Sequence, residues 1–229
     1  MLEVKQQLET TRLLTLTGAG GSGKTRLALE VARDLVGAFP DGVWLVELAP
    51  LTEGELITKA VAEALGVPER TGEPLSDTLT EVLGDRDLLL LLDNCEHLLE
   101  AISRLADSFL DSCAGVRILA TSREALGVDG EVRWPVPPLG FPDPRRSSKI
   151  EDLEGSESVR LFLARARNRD PSFAFTPSSA RAVAEICSKL EGIPLAIELA
   201  AARVGTLSLE QISDRLDGSL ELRLNPPGA

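Results

Sequence analysis

The residues with the clearest chemical potential lie near the start of the chain, in Gly18-Ala19-Gly20-Gly21-Ser22-Gly23-Lys24-Thr25. Their spacing, Gly-x4-Gly-Lys-Thr, is that of a phosphate-binding loop, or P-loop. Glycines let the backbone curl so that successive N–H groups point inward, and a helix starting there adds a fractional positive charge. Lys24 then reaches the β- and γ-phosphates of a nucleotide, and the Thr25 hydroxyl ligates Mg2+. Gly20, Gly21, Ser22, Gly23 and Arg26 complete the candidate phosphate-binding set. The bound species expected is a nucleoside triphosphate or diphosphate.

A second group of residues would complete such a site. Five leucines, Leu88 to Leu92, end in Asp93, the Walker B pattern of a carboxylate at a strand tip. Asp93 would share the Mg2+ with Thr25, directly or through water. Asn94 follows, where many ATPases carry an acid that activates water; an amide orients water but cannot accept its proton. Glu96 reads two ways, as a substitute acid or as a favourable charge on the first turn of a helix. Hydrolysis is therefore expected to be slow or conditional. Thr121-Ser122-Arg123 ends another apolar run, and Arg123 reads either as a contact to the γ-phosphate or as a surface ion pair. Lys24, Asp93 and Arg123 form the candidate catalytic set. His97, the only histidine, reads as a structural hydrogen-bond partner rather than a base.

Positioning these groups requires strands that end together. Leu13 to Thr17 is β-prone and stops at glycine, while Leu27, Ala28, Val31 and Leu35 share one helical face. Val43 to Leu48, Leu88 to Asp93 and Val116 to Thr121 are nearly continuous apolar runs, which suit parallel strands covered on both faces. Glu131 to Val136 reads as an edge strand, since Pro135 cannot donate to a ladder. Helices are expected over residues 1–11, 53–66, 75–83 and 96–110. The alternation implies an α/β fold with a doubly wound parallel sheet and a ligand at the carboxyl ends of its strands. Residues 137–154 read as a proline-rich linker. Its Arg145-Arg146-Ser147-Ser148-Lys149 run is more readily a solvated loop than a nucleic-acid contact.

Beyond the linker the pattern is helical. Ser156 opens a helix burying Val159, Phe162, Leu163 and Ala166. Thr176-Pro177 is an N-cap with a first-turn proline. Gly192 stops that helix, Pro194 opens the next, from Leu195 to Val204, and Ser208-Leu209-Glu210-Gln211 is a capping box. Three segments follow: 1–136, an α/β nucleotide-binding domain; 137–154, the linker; and 155–229, a small all-helical domain. The tail Asn225–Ala229 has no packing pattern.

Composition narrows the function classes. A net charge of −12 argues against direct nucleic-acid binding or an anionic membrane surface. No apolar run reaches transmembrane length and no signal peptide opens the chain, so a cytoplasmic location is expected. Cys95, Cys113 and Cys187 read as reduced, buried thiols.

In order along the chain stand GAGGSGKT, LLLLLDNCEHLL, TSRE at 121–124 and EGIPLAIELAAAR at 191–203. Together they resemble the NB-ARC type of STAND ATPase, in the bacterial branch of LuxR- and AfsR-like transcriptional regulators. The resemblance covers nearly the whole chain. It implies that the helical domain is a lid over ATP or ADP, with Pro194 of Gly192-Ile193-Pro194 and the adjoining Leu195 against the adenine. It also implies that Arg123 is the sensor arginine, and that ATP opens the full-length protein for homo-oligomerisation whereas ADP closes it. The Gly-Arg-Glu motif that usually precedes the P-loop is missing or cut away ahead of Met1-Leu2-Glu3, and the winged-helix domain and sensor repeats are not in this segment. The segment reads as the core of a larger regulator.

Two other classes use the same loop. A small-molecule kinase would need lid arginines such as Arg160, Arg165, Arg167 and Arg169. A nucleic-acid motor is disfavoured by the acidity.

Overall fold

The computed structural model describes residues 1–143 and 150–224, which form two compact units, Met1–Val136 and Pro137–Ala229. The basic run Arg145 to Lys149 and the tail Asn225–Ala229 lie outside the described residues.

In the first unit the elements run α1 (Leu2–Thr10), β1 (Leu13–Thr17), α2 (Lys24–Leu35), β2 (Val43–Glu47), α3 (Leu56–Leu65), α4 (Leu75–Leu83), β3 (Leu88–Asp93), α5 (Leu99–Ser112), β4 (Val116–Ser122) and β5 (Val132–Pro135). The strands form one parallel sheet in the order β2-β3-β4-β1-β5. Side chains of a strand alternate between faces, and the leucine run uses both. Leu88, Leu90 and Leu92 join the core under α3, α4 and α5, with Ile57, Val61, Leu79, Leu83, Ile102 and Phe109. Leu89 and Leu91 point the other way, to Val4 and Leu8 of α1 and Ala28 and Val31 of α2. All five leucines are buried, each worth roughly 1.5–3 kcal/mol relative to exposure. Helices on both faces are what permit so apolar a strand.

The register decides where function can sit. Leu13 pairs with Ile118 and Thr17 with Ser122, while Leu92 pairs with Ala120. The carboxyl ends of β1, β3 and β4 therefore coincide. Because β1 lies between β4 and β5, the chain's path reverses beside it, the kind of switch point at which open parallel sheets bind ligands. As an edge strand, β5 carries Pro135 without a ladder defect, and Val136 N–H closes the pairing onto Thr17 C=O at 2.7 Å.

Three local expectations are corrected. The helix expected from Glu96 begins instead at Leu99, because Asn94 adopts a left-handed conformation (φ 68°) and Cys95–His97 form a 3-10 turn. The helix expected to run to Val204 stops at Ala201. The last residues of the stretch read as linker, Ile150–Glu154, are helical (α6) and bury Leu153 against Ala180 and Ala184.

In the second unit, α7 (Glu157–Arg169), α8 (Pro177–Lys189), α9 (Pro194–Ala201) and α10 (Leu209–Leu224) follow α6. Their core joins Val159, Phe162, Leu163 and Ala166 to Val183, Ile186, Cys187, Ile197 and Ile212. Thr176 and Ser179 form a reciprocal capping box at α8. Ser208 and Gln211 do the same at α10, with bonds of 3.0 and 3.3 Å. Between α8 and α9, Gly192 sits at φ 69°, where a Cβ would strike the Leu139 carbonyl. Only glycine fits there, and its carbonyl accepts from Leu139 N–H at 3.0 Å.

Candidate functional site

The loop after β1 has the curled backbone that its spacing predicts. Gly21 and Gly23 have φ of 77° and 95°, left-handed values that a Cβ disfavours. The turn closes through Ser22 N–H to Ala19 C=O at 3.2 Å, and α2 starts with Leu27 N–H to Gly23 C=O at 2.9 Å. The N–H groups of the first helical turn are thereby left to face outward from the helix end.

Lys24 opens α2 and is nearly buried. Its ammonium donates to Gly18 C=O at 2.8 Å and Ala19 C=O at 3.0 Å, so it lies within the loop. Burial pushes its pKa below the usual lysine value. Among the charges, Glu96 opposes that most, Arg123 adds to it and Asp93 opposes it less.

Asp93, at the tip of β3, is held from two sides. Thr25 Oγ1 donates to Asp93 Oδ1 at 2.8 Å, and Thr121 Oγ1 donates to the same oxygen at 2.6 Å. Thr121 also accepts from Asn94 N–H at 2.9 Å, which pins the left-handed turn. The candidate metal pair, Thr25 and Asp93, is thus in direct contact. Among the described residues no cluster of three or more His, Cys, Asp or Glu could hold a metal. Two protein oxygens suit Mg2+, which is usually bound through one or two protein groups plus phosphate oxygens and water.

Arg123 follows β4 and lies across the loop. Its Nε donates to Glu96 Oε1 at 2.9 Å, with side-chain exposures of 67% for Arg123 and 17% for Glu96. A terminal nitrogen of its guanidinium would lie 3.6 Å from a Cβ placed on Gly20. Asn94 turns its amide to His97 Nδ1 (3.4 Å), while His97 Nε2 meets Leu51 C=O at 2.9 Å. Nε2 must carry the proton, because a carbonyl only accepts. His97 is a bridge between loops, as its isolation in the sequence implied.

Two buried side-chain atoms here have no hydrogen-bond partner, Ser22 Oγ and Glu96 Oε2. Buried polar groups are normally satisfied. Ser22 Oγ is turned towards Gly18, within the loop. The curled loop, the Lys24 ammonium within it and the paired oxygens of Thr25 and Asp93 fit a bound nucleotide phosphate. That ligand would be cradled by the loop, neutralised by Lys24 and Arg123, and shared with Mg2+ by Thr25 and Asp93.

Other candidates are placed less tightly. Arg26 is exposed on the first turn of α2. Pro194 is the first residue of α9 and Leu195 is half exposed; both belong to the second unit. Of the four arginines weighed as a kinase lid, Arg165 is occupied by Glu198 at 2.9 Å. Two residues outside the candidate set matter. Thr121 orients Asp93, and Glu96 is the anionic partner of Arg123. Thr121 was signalled only by lying at a strand tip, and its bond to Asp93 depends on strand order.

The AAA domain family matches residues 6–128. A protein of Mycobacterium tuberculosis named "Putative HTH-type transcriptional regulator" is 43% identical over 94% of this chain and 23% of its own length. The regulatory protein AfsR of Streptomyces coelicolor is 35% identical over 44% of this chain and 11% of its own. The chain thus spans under a quarter of these relatives. A STAND protein with a tetratricopeptide repeat sensor from Pyrococcus horikoshii shares the fold at TM-score 0.52 and 15% identity, over 95% of this chain and 32% of that one. With its P-loop at the head of the matched segment, the chain belongs to the AAA domain family of P-loop ATPases.

Proposed function

We propose that the chain is an ATP/ADP-binding switch module of the STAND type, NB-ARC-like, within a transcriptional regulator. It hydrolyses ATP slowly with Mg2+, and nucleotide state governs opening and homo-oligomerisation of the full-length protein. The observation that carries this reading is the convergence of Lys24, the Thr25–Asp93–Thr121 cluster and Arg123 on one loop. The names of the relatives support the regulatory setting. Assignment of Pro194 and Leu195 to the adenine rests on the resemblance alone.

The energetics favour several residues reading the phosphate together. Swinging a two-state population almost fully requires about 5.5 kcal/mol of differential binding. A charge-assisted hydrogen bond contributes roughly 1.5–3 kcal/mol. Two or three contacts to the terminal phosphate suffice; one does not.

The test is to denature purified protein, identify the released nucleotide, and compare hydrodynamic size with ATP and with ADP. An adenine nucleotide at near one per chain, with a size that differs between the two, is expected. No bound or bindable nucleotide would overturn the reading. Rapid phosphate transfer to a small acceptor would favour a kinase instead, and turnover stimulated by DNA a motor.

A further inference from the structure

We infer that Glu96, rather than Asn94, is the residue that orients and deprotonates the water attacking the terminal phosphate of ATP. This rests on the nucleotide-binding reading above and adds the catalytic base to it. Asn94 occupies the place after the Walker B aspartate, but its backbone is left-handed and its amide is turned to His97. An amide also has no site for the water's proton. The 3-10 turn that follows brings Glu96 round instead.

The Glu96 carboxylate has the asymmetry this task requires. Arg123 Nε holds Oε1 at 2.9 Å, whereas Oε2 is buried and bonded to nothing. Oε1 is fixed, and Oε2 keeps an accepting capacity that a water admitted with the nucleotide would fill. The bond it makes with Arg123 places it beside the P-loop. Arg123 is a positioning residue in this arrangement, since its guanidinium reaches over Gly20 while its Nε orients Glu96.

In the step itself, the water oxygen forms a bond to the γ-phosphorus as the bond from that phosphorus to the β–γ bridging oxygen breaks. The bridging oxygen keeps the electron pair and departs with ADP. The water's proton passes to Glu96 Oε2 and is later released to phosphate or solvent.

The experiment compares Glu96→Gln, Asn94→Gly and Lys24→Ala in the same chain; glycine removes the Asn94 amide yet tolerates its left-handed backbone. Glutamine keeps the size of Glu96 and an oxygen for Arg123, yet cannot serve as a base. Glu96→Gln is expected to lower single-turnover hydrolysis by about a hundredfold or more and to retain ATP, where wild type retains ADP, on denaturation. Its dissociation constants for ATP and ADP should stay within about tenfold of wild type, the low end of one weakened charge-assisted contact. Asn94→Gly should keep turnover within a similar factor. Equal turnover in Glu96→Gln and wild type, or a parallel loss of ATP and ADP binding, would overturn the assignment. So would wild-type turnover no higher than that of Lys24→Ala, although nucleotide binding would then still support the switch. Failure of wild type to bind any nucleotide would remove both readings.

Discussion

The two units treat their polar side chains in opposite ways. In the α/β unit, Thr15, Ser22, Lys24, Thr78, Thr121 and Ser122 are buried. Every buried side-chain atom without a partner among the described residues also lies there: Thr15 Oγ1, Ser22 Oγ and Glu96 Oε2. In the helical unit, polar groups are used up internally. Arg165 holds Glu198 at 2.9 Å, and Lys189 joins α8 to α10 through Ser213 Oγ at 2.8 Å and Asp217 at 2.6 Å. Thr15 lies in the middle of β1, whereas Ser22 and Glu96 lie in the loops that follow β1 and β3; the described part of the second unit has no such atom. Unmet capacity costs stability, and two of the three atoms that carry it belong to the loops of the candidate site.

That contrast makes substitutions in the two units separable. The largest loss of stability is expected from Phe162→Ala in the helical core. Phe162 is fully buried and packs edge-to-face on Phe173 with centroids 6.4 Å apart. Truncation should cost about 3–5 kcal/mol, read as an early transition in denaturant unfolding. A loss under about 1 kcal/mol would mean that this core collapses readily around the gap. The helical unit also gives a pH signature. Burial pushes the Cys187 thiol up from 9.0 to about 12. The folded state then holds the proton more tightly, so this stabilisation is whole below pH 9 and is lost as pH rises towards 12. The slope is roughly 1.4 kcal/mol per pH unit, and Cys187→Ala should flatten it in urea titrations at successive pH values.

In the α/β unit the same size of change should appear in binding instead. Lys24→Ala should weaken ATP by at least about a hundredfold, the loss of one or two charge-assisted bonds. Its ligand-free melting temperature should be no lower than that of wild type, because burial disfavours the ammonium that is removed. Unchanged ATP affinity, measured by calorimetry, would refute the phosphate-loop assignment. Marked unfolding would show that Lys24 is structural, through its bonds to Gly18 and Ala19.

Much of this contrast was legible before folding was considered, and the rest was hidden for definite reasons. The glycines and Lys24-Thr25 announce the loop by spacing, and the unbroken leucines of β3 announce a strand buried on both faces. The caps at Thr176 and Ser208 were readable because each bond spans three residues or fewer. What local pattern could not show was the turn at Asn94. It is pinned by Thr121, 27 residues away, and helical periodicity runs through the site without registering it. The bond that orients Asp93 depends on β4 lying beside β3, and strand order is not a local property. The Glu96–Arg123 pair also spans 27 residues, so Glu96 looked equally like a helix-end charge until its partner was known.

The smallest expected effect is the most discriminating. Ser22 is buried, and its hydroxyl has no partner. If that hydroxyl were there for the fold, Ser22→Ala would destabilise, as loss of a typical hydrogen bond does by about 1 kcal/mol. If it is held open for a phosphate, the ligand-free protein should be unchanged or slightly more stable, since an unmet buried polar atom has been removed. Affinity for ATP and ADP should fall together by about tenfold, the low end of one hydrogen bond to a charged group. Arg123→Ala should instead weaken ATP more than ADP, because a contact to the terminal phosphate has nothing to meet in the diphosphate. Chemical denaturation and calorimetry on these two variants separate the roles. A Ser22→Ala protein that is less stable but binds normally would place the hydroxyl with the fold, and the two units would differ less than their buried atoms suggest.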